Sequence, residues 1–450
     1  MLMPMPSVTA LLNSRQLWLK IHLILALSVG LLFAILGFTG SIIVYNAELD
    51  ELLNPDLVIS QPSSQTRSFD ELITALKRAH PTRHGEWTLE MPRSAHSMVT
   101  AWFEKPSESY FKRYAPLMVS VNPYTAEVVR SRFWGRTFVT WCTDLHSQLQ
   151  LGSVGWELVG YLGIALVLSI LSGLYLWWPR TALNTKQSFS LSLPRSRQHW
   201  LIFLHRHLGL LSSVPLLLIA CTGSLLSYPE IMTQLTGASG MAHGETGAAI
   251  TSTAEPNIHV TSLTAAEFMA RAVFPNATLR RITTPVGATG VYRINYRHPQ
   301  EINQRHPYAT VWVDRWSGQI KAVRNPKQFS WGESLSSWLW PLHTGEAFGA
   351  PGKLLMFITG QSLFWLYLTG LFRWLYRTGK LADSRFNFSY KKHLQASVAG
   401  FKLATELGRA CITAGIQHAL PLLNTLRKIL WLAWQRGINH LRQTKNLPKP

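Results

Sequence analysis

Four histidines carry the chemistry open to this sequence, because they recur at matched positions in its two halves. His22 and His205 each stand 18 residues before the glycine of a Thr-Gly-Ser, namely Thr39-Gly40-Ser41 and Thr222-Gly223-Ser224, and 23 residues before Tyr45 and Tyr228. His146 and His343 are each followed by glycine at +6, +9 and +27, which gives Gly152, Gly155, Gly173 and Gly349, Gly352, Gly370. Tryptophan precedes each by five residues (Trp141, Trp338) and follows each by 31 (Trp177, Trp374). A repeat that holds its histidines in register predicts four equivalent helix ends and two facing pairs of ligands. Two imidazoles can ligate one iron from both sides, so two such pairs in a membrane bundle are what two haems require. His207 competes with His205. Two residues along a helix turn a side chain by about 200°, so only one of them can face the partner. His205 keeps the offset of His22 and is preferred; His199 lies outside the repeat and reads as surface.

The elements that must position these residues are membrane spans. Four stretches free of Asp, Glu, Lys and Arg, 23–45, 158–178, 208–228 and 354–372, supply about 20 residues each, enough to cross roughly 30 Å of hydrocarbon. No small-x-small site precedes Glu48, so the first is expected to be an uncleaved anchor. Basic residues crowd three places: before the first span, between the second and third, and after the fourth. The positive-inside rule then puts both termini in the cytoplasm and exports the two long segments. The expected layout is a cytoplasmic N-terminus and span 1 (1–45), a first periplasmic module with the His146 segment (46–157), span 2 (158–178) and a cytoplasmic loop (179–207). Span 3 (208–228), a second module with the His343 segment (229–353), span 4 (354–376) and a basic amphipathic cytoplasmic tail (377–450) complete it. The net charge of +20 is mostly this asymmetry plus the tail, with no sign of a nucleic-acid-reading element.

Each exported module reads as a helix followed by antiparallel strands. In the first, Ser68 is a plausible N-cap for a helix at 68–80, with strands at 87–91, 98–103, 117–121 and 127–130. In the second, a helix at 265–274 precedes strands at 278–283, 291–296, 310–314 and 320–323. The stretch 237–256 reads as a mobile linker, and 420–434 as an amphipathic surface helix rather than a fifth span. Cys142, Cys221 and Cys411 fall in different compartments, so no disulfide is expected, and without Cys-x-x-Cys-His no haem is attached covalently. His80, His84 and His96 lack acidic partners and read as solvated surface. Arg67, Arg83, Arg93, Arg280, Arg281, Arg293 and Arg297 suit either an anionic chelate or a solvated sheet face. Gly40, Gly173, Gly223 and Gly370 serve either the approach of a flat macrocycle or close helix packing. Trp177, Trp178, Trp338 and Trp340 read as an aromatic belt.

Three motifs together resemble one family, the PepSY-associated transmembrane-helix family. They are Leu204-His205-Arg206-His207-Leu208-Gly209 at the third span, Ser172-Gly173-Leu174-Tyr175-Leu176-Trp177-Trp178-Pro179-Arg180 closing the second, and Leu342-His343-Thr344-Gly345-Glu346-Ala347-Phe348-Gly349 before the fourth. The resemblance covers roughly 15–378; Leu23-Ile24-Leu25-Ala26 departs from it where relatives often carry a glycine, and the tail lies outside it. It implies an α-helical membrane fold, a four-span bundle with two exported α+β PepSY-like modules. It also implies an inner-membrane role in iron uptake, which in some members is di-haem siderophore reduction.

The spans lack the buried acids and bases of an ion-coupled relay, and the cytoplasmic parts lack a dinucleotide fingerprint or P-loop. Electrons would therefore come from a separate cytoplasmic or quinol donor. The expected function is a di-haem b electron carrier, with His22, His205, His146 and His343 as axial ligands, passing electrons to a ferric siderophore. The alternative is a non-enzymatic accessory in iron uptake that binds proteins through its exported modules.

Overall fold

The computed structural model describes residues 14–179, 197–237, 250–253, 259–303 and 305–381. Most of the 237–256 linker, the 420–434 segment and Cys411 lie outside the described residues. In chain order the helices are α1 (Arg15–Ser28), α2 (Gly30–Val44), α3 (Asn46–Leu53), α4 (Phe69–Ala79), α5 (Phe138–Gln148), α6 (Gly152–Trp177), α7 (Arg197–Ser227), α8 (Pro229–Thr236), α9 (Leu263–Arg271), α10 (Trp331–Thr344) and α11 (Gly349–Arg377). The strands are β1 (Thr88–Glu90), β2 (Val99–Phe103), β3 (Leu117–Val121), β4 (Val128–Phe133), β5 (Thr278–Thr283), β6 (Val291–Arg297), β7 (Ala309–Asp314) and β8 (Ile320–Arg324). The chain divides into two units. One draws on Met1–Ala34, Ala165–Ser213 and Ser362–Pro450, and the other on Ile35–Ile164 and Val214–Gln361.

Among the described residues three apolar stretches are long enough to cross a membrane: α6, α7 and Glu346–Arg377, which contains α11. The first span, expected to be continuous, is instead a pair, α1 and α2, bent by 63°. The break has a local cause. Ser28 Oγ donates back to the Ile24 carbonyl at 2.7 Å, Val29 leaves helical geometry at φ −122° and ψ 0°, and Gly30 follows. The Tyr367 ring stands 2.9 Å from where a Cβ on Gly30 would lie. A back-bonded serine beside a glycine is a recognised site of helix kinking. The other departure is that α7 starts at Arg197, so His205 sits inside helix rather than ahead of it.

The strands fall close to the positions read from alternation. The two modules expected as separate bodies, however, share one eight-stranded antiparallel sheet of order β4-β3-β2-β1-β5-β6-β7-β8. The join is β1 on β5, pairing Thr88 with Thr283, Leu89 with Ile282 and Glu90 with Arg281. The Thr88 and Thr283 hydroxyls, both buried, meet across it at 2.9 Å. The edge strands β4 and β8 are half-exposed and carry Arg130, Arg132, Lys321 and Arg324, which blunt them against further pairing. By contrast every residue of β3 and β7 is buried.

Helices α4 and α9 bury Leu72, Ile73, Leu76 and Leu263, Ala266, Ala270 in one core with Trp87, Leu89, Val119, Ile282, Ile294 and Val311. A capping box between Ser68 and Glu71 starts α4, as the sequence suggested. Asp70 on α4 then accepts the Leu263 and Thr264 amides at 2.8 and 3.2 Å, capping α9 from its neighbour. Burial would raise the Asp70 carboxyl, but these hydrogen bonds outweigh it and hold the group below its ordinary range.

Candidate functional site

The structure brings the four repeated histidines together in two pairs, each pair inside one unit. His22 on α1 faces His205 on α7 with ring centroids 6.2 Å apart and planes at 86°. His146 on α5 faces His343 on α10 at 6.1 Å and 49°. Imidazole–metal bonds of about 2.0 Å on either side of one ion would leave the ring centres about 6 Å apart.

The surroundings of each ring repeat with equal regularity. His22 Nδ1 lies 3.0 Å from the Ser169 carbonyl and 2.9 Å from Ser172 Oγ. His205 Nδ1 lies 3.1 Å from the Leu366 carbonyl and 3.0 Å from Thr369 Oγ1. His146 Nδ1 is 2.9 Å from the Leu36 carbonyl. His343 Nδ1 is 3.1 Å from Thr222 Oγ1, whose own proton goes to the Leu218 carbonyl at 2.7 Å, and the Ile219 carbonyl is a further backbone partner of the ring. A carbonyl, or a hydroxyl already donating elsewhere, can only accept, so each Nδ1 carries a proton and in the neutral ring Nε2 keeps its lone pair. That is the tautomer a metal-ligating imidazole needs, held by its outer hydrogen bond.

In every case the carbonyl lies four residues before one of the repeated glycines, and a Ser or Thr immediately precedes that glycine. A Cβ built on Gly173 would lie 3.2 Å from His22 Cε1, on Gly370 3.3 Å from His205, on Gly40 2.7 Å from His146 and on Gly223 2.9 Å from His343. Of the two roles read for these glycines, the close approach is real, but what approaches is the imidazole edge. Each member of Thr-Gly-Ser then has a task. The threonine stands at the ring: Thr222 reaches His343 directly, while Thr39 bonds the Ile35 carbonyl. The glycine makes room, and the serine pins a neighbouring helix. Ser41 Oγ donates to the Phe357 carbonyl at 2.8 Å and Ser224 Oγ to the Gly160 carbonyl at 3.1 Å. Phe357 and Gly160 each lie 14 residues past their own histidine, His343 and His146. The +9 glycines allow backbone contact: a Cβ on Gly155 would strike the Gln148 carbonyl, and one on Gly352 the Gly345 carbonyl.

The rings of the second unit are desolvated. Burial holds His146 below the ordinary imidazole range and pushes His343 down to about 4, with His146 adding to the shift. Both are therefore neutral at physiological pH.

His207 turns elsewhere: its Nδ1 bonds the Phe203 carbonyl of its own helix at 2.8 Å and its ring stacks on Phe203 at 4.2 Å. His80, His84 and His96 form no cluster. His80 bonds Ser131 and His96 the Ile59 carbonyl. Among the described residues no group of three or more His, Cys, Asp or Glu is placed to hold a metal ion. Of the seven arginines singled out, Arg67, Arg83, Arg281 and Arg293 pair with Glu71, Glu108, Glu90 and Glu86. The sequence reading missed the residues that orient the imidazoles. Its available signal was the hydroxyl residue before each repeated glycine.

Long apolar helices, an attached antiparallel sheet and two facing histidine pairs define a multi-pass membrane protein with ligand-competent imidazoles. The chain belongs to the family of the PepSY-associated TM region, whose model matches residues 19–377. No curated protein matches the chain.

Proposed function

We propose that this protein is a di-haem b electron carrier of a bacterial inner membrane, with both termini cytoplasmic, that reduces a ferric siderophore outside and so releases Fe(II). The observation that carries the reading is the four-fold recurrence of one arrangement. A neutral imidazole, its Nδ1 proton given to a carbonyl and its edge laid on a glycine, faces a second imidazole at about the spacing one iron requires. Two protein ligands per site are too few for a bare ion, but they complete an iron whose remaining positions are filled by a macrocycle. When bound, haem supplies one-electron redox chemistry. The chain's part would be to hold the group between two imidazole nitrogens and shield them from water, an arrangement that favours electron transfer over ligand exchange.

His22 and His205 would hold the inner group and His146 and His343 the outer one. The internal two-fold repeat and the PepSY-like character of the two halves of the sheet belong to the same reading. The donor would be quinol or a cytoplasmic reductase, since no nucleotide motif is present in the sequence.

The deciding experiment is a visible spectrum of the full chain purified from haem-replete cells. Two low-spin, non-covalent haems per chain are expected, and reduced protein should be reoxidised by a ferric siderophore with Fe(II) appearing in a trap. A folded but colourless preparation would instead favour the accessory role.

A further inference from the structure

Away from the imidazoles, one place on the sheet gathers more positive charge than it can neutralise. Glu90 on β1 stands in register with Arg281 on β5. Arg281 Nη2 lies 3.4 Å from Glu90 Oε2, which also accepts the Trp102 indole N–H at 3.1 Å. Arg281 in addition donates to the Arg305 carbonyl at 3.2 Å. Arg305, Arg93 and Arg280 surround the same carboxylate; burial would raise it, but the four guanidinium groups hold it below its ordinary range. One carboxylate with two donors already placed cannot satisfy three further cations. Arg280 Nε is buried without a partner among the described residues.

Two further acids act on the cluster: Glu48 on Arg93, and Glu346, whose carboxyl is raised by burial against the pull of Arg305 and Arg93 and whose Oε2 has no partner among the described residues. Arg280, Arg281 and Arg305 are not a solvated face, while Arg93 stands at their exposed margin. Arg281 keeps only 19% of its side chain exposed, and burial lowers both Arg280 and Arg305. Uncompensated cations in such a place are costly unless an anion joins them. The cluster also has a direction. The Arg305 guanidinium lies 5.9 Å from the Trp340 ring, and Trp340 is one turn before His343 on α10. Planar, delocalised guanidinium groups in convergence suit a planar, bidentate anion.

We propose that Arg93, Arg280, Arg281 and Arg305 form a carboxylate-binding site beside the His343 turn. The carboxylate has two possible sources, a carboxylate-bearing ferric chelate or the propionates of a haem held by His146 and His343. Only the placement of the site in a reductase rests on the function proposed above; its affinity for carboxylate does not.

The test uses the full chain in detergent beside Arg305→Gln, Arg281→Gln and Arg93→Gln. The last is exposed and keeps the test open if a buried substitution fails to fold. Gallium(III) citrate, which cannot be reduced by haem, serves as the free carboxylate probe and is titrated calorimetrically. If the chelate is the source, wild type binds the probe and each variant binds it about ten-fold or more weakly, with the haem spectrum unchanged. If propionates are the source, the probe does not bind. Arg305→Gln then moves the outer haem's midpoint potential negative, and the shift vanishes when the protein is loaded with haem dimethyl ester. Either result supports the site. Absence of probe binding together with no ester-sensitive shift overturns it. A colourless wild type would count against the haem reading alone, and the gallium citrate titration would then decide this proposal by itself.

Discussion

The two histidine pairs share a plan and differ in what enforces it. In the first unit each imidazole meets both a carbonyl and a hydroxyl, and the facing glycine is close but not forbidding to a side chain, 3.2 and 3.3 Å to a notional Cβ. In the second unit the glycine contact tightens to 2.7 and 2.9 Å, closer than real Cβ atoms come. His146 has only the Leu36 carbonyl among the described contacts. The ring planes differ too, near perpendicular in one pair and tilted by 49° in the other. The first site is thus oriented by hydrogen bonds at both rings, while in the second His343 keeps such bonds and steric contact tightens on both rings, most at His146. The same ligand set can be held by two different balances of force.

Several substitutions would break or sharpen that contrast. The largest effect is expected from the ligands themselves. His146→Ala or His343→Ala should remove one haem, and His22→Ala or His205→Ala the other, each halving the visible absorbance while His207→Ala leaves it whole. Loss of a haem in His207→Ala but not in His205→Ala would overturn the assignment of the first pair.

Next come the glycines. Gly40→Ala and Gly223→Ala must displace an imidazole and should weaken haem retention in their site by about 10–100-fold, as loss of supporting structure around a metal ligand does. Gly173→Ala and Gly370→Ala require shifts of only a few tenths of an ångström and should cost far less. Equal losses at all four positions, measured by haem transfer to an apo-acceptor protein, would erase the distinction drawn here.

A smaller effect is expected from the hydroxyls. Ser172→Ala and Thr369→Ala each remove one of two Nδ1 partners, worth about 0.5–1.5 kcal/mol. Their haem should be retained several-fold less well, with the carbonyl still fixing the tautomer. If these variants outrank the Gly40 and Gly223 substitutions, contact is not what holds the second pair.

The smallest effect lies in the sheet and serves as a control remote in chemistry from both pairs. Glu301 accepts the Tyr308 and His298 amides at 2.7 and 3.2 Å, yet burial outweighs them and pushes its carboxyl up to about 7. The folded form therefore holds a proton that the unfolded chain has released between the ordinary carboxylate range and about pH 7. Stability from this group is full at the acid end and declines as pH rises through that window. Thermal melts should show the decline, and Glu301→Gln should flatten it; an unchanged slope in the variant would assign it to other groups.

Much of this was legible in the sequence because it is local. Alternation placed the strands, absence of charge marked the spans, and Ser68 announced the start of α4. The register of histidine against glycine was visible as spacing before its meaning was. What escaped is non-local or generic. The carbonyls of Ser169, Leu366 and Leu36 have no side-chain signature, since any residue offers one. The bend at Val29 depends on Ser28 bonding backward and on Tyr367, far along the chain, filling the space beside Gly30. Arg305 looked like one basic residue among many until the Glu90–Arg281 register brought it to the same carboxylate. The junction of β1 with β5 unites strands nearly 200 residues apart, where alternation carries no information about pairing partners.

That junction bears on how the chain can be divided. Cut between α6 and α7, each half would keep four strands and lose the neighbour of β1 or β5, baring a ladder edge near the middle of the native sheet. Each half would also carry one imidazole of either pair, with the glycine that backs it but without its mate. Two such fragments made together should therefore find one another and assemble, whereas either made alone should aggregate or be degraded. Co-expression of 1–188 with 189–450, followed by purification through a tag on one of them, would reveal whether the molecule is at heart a pair of complementary pieces on a single thread.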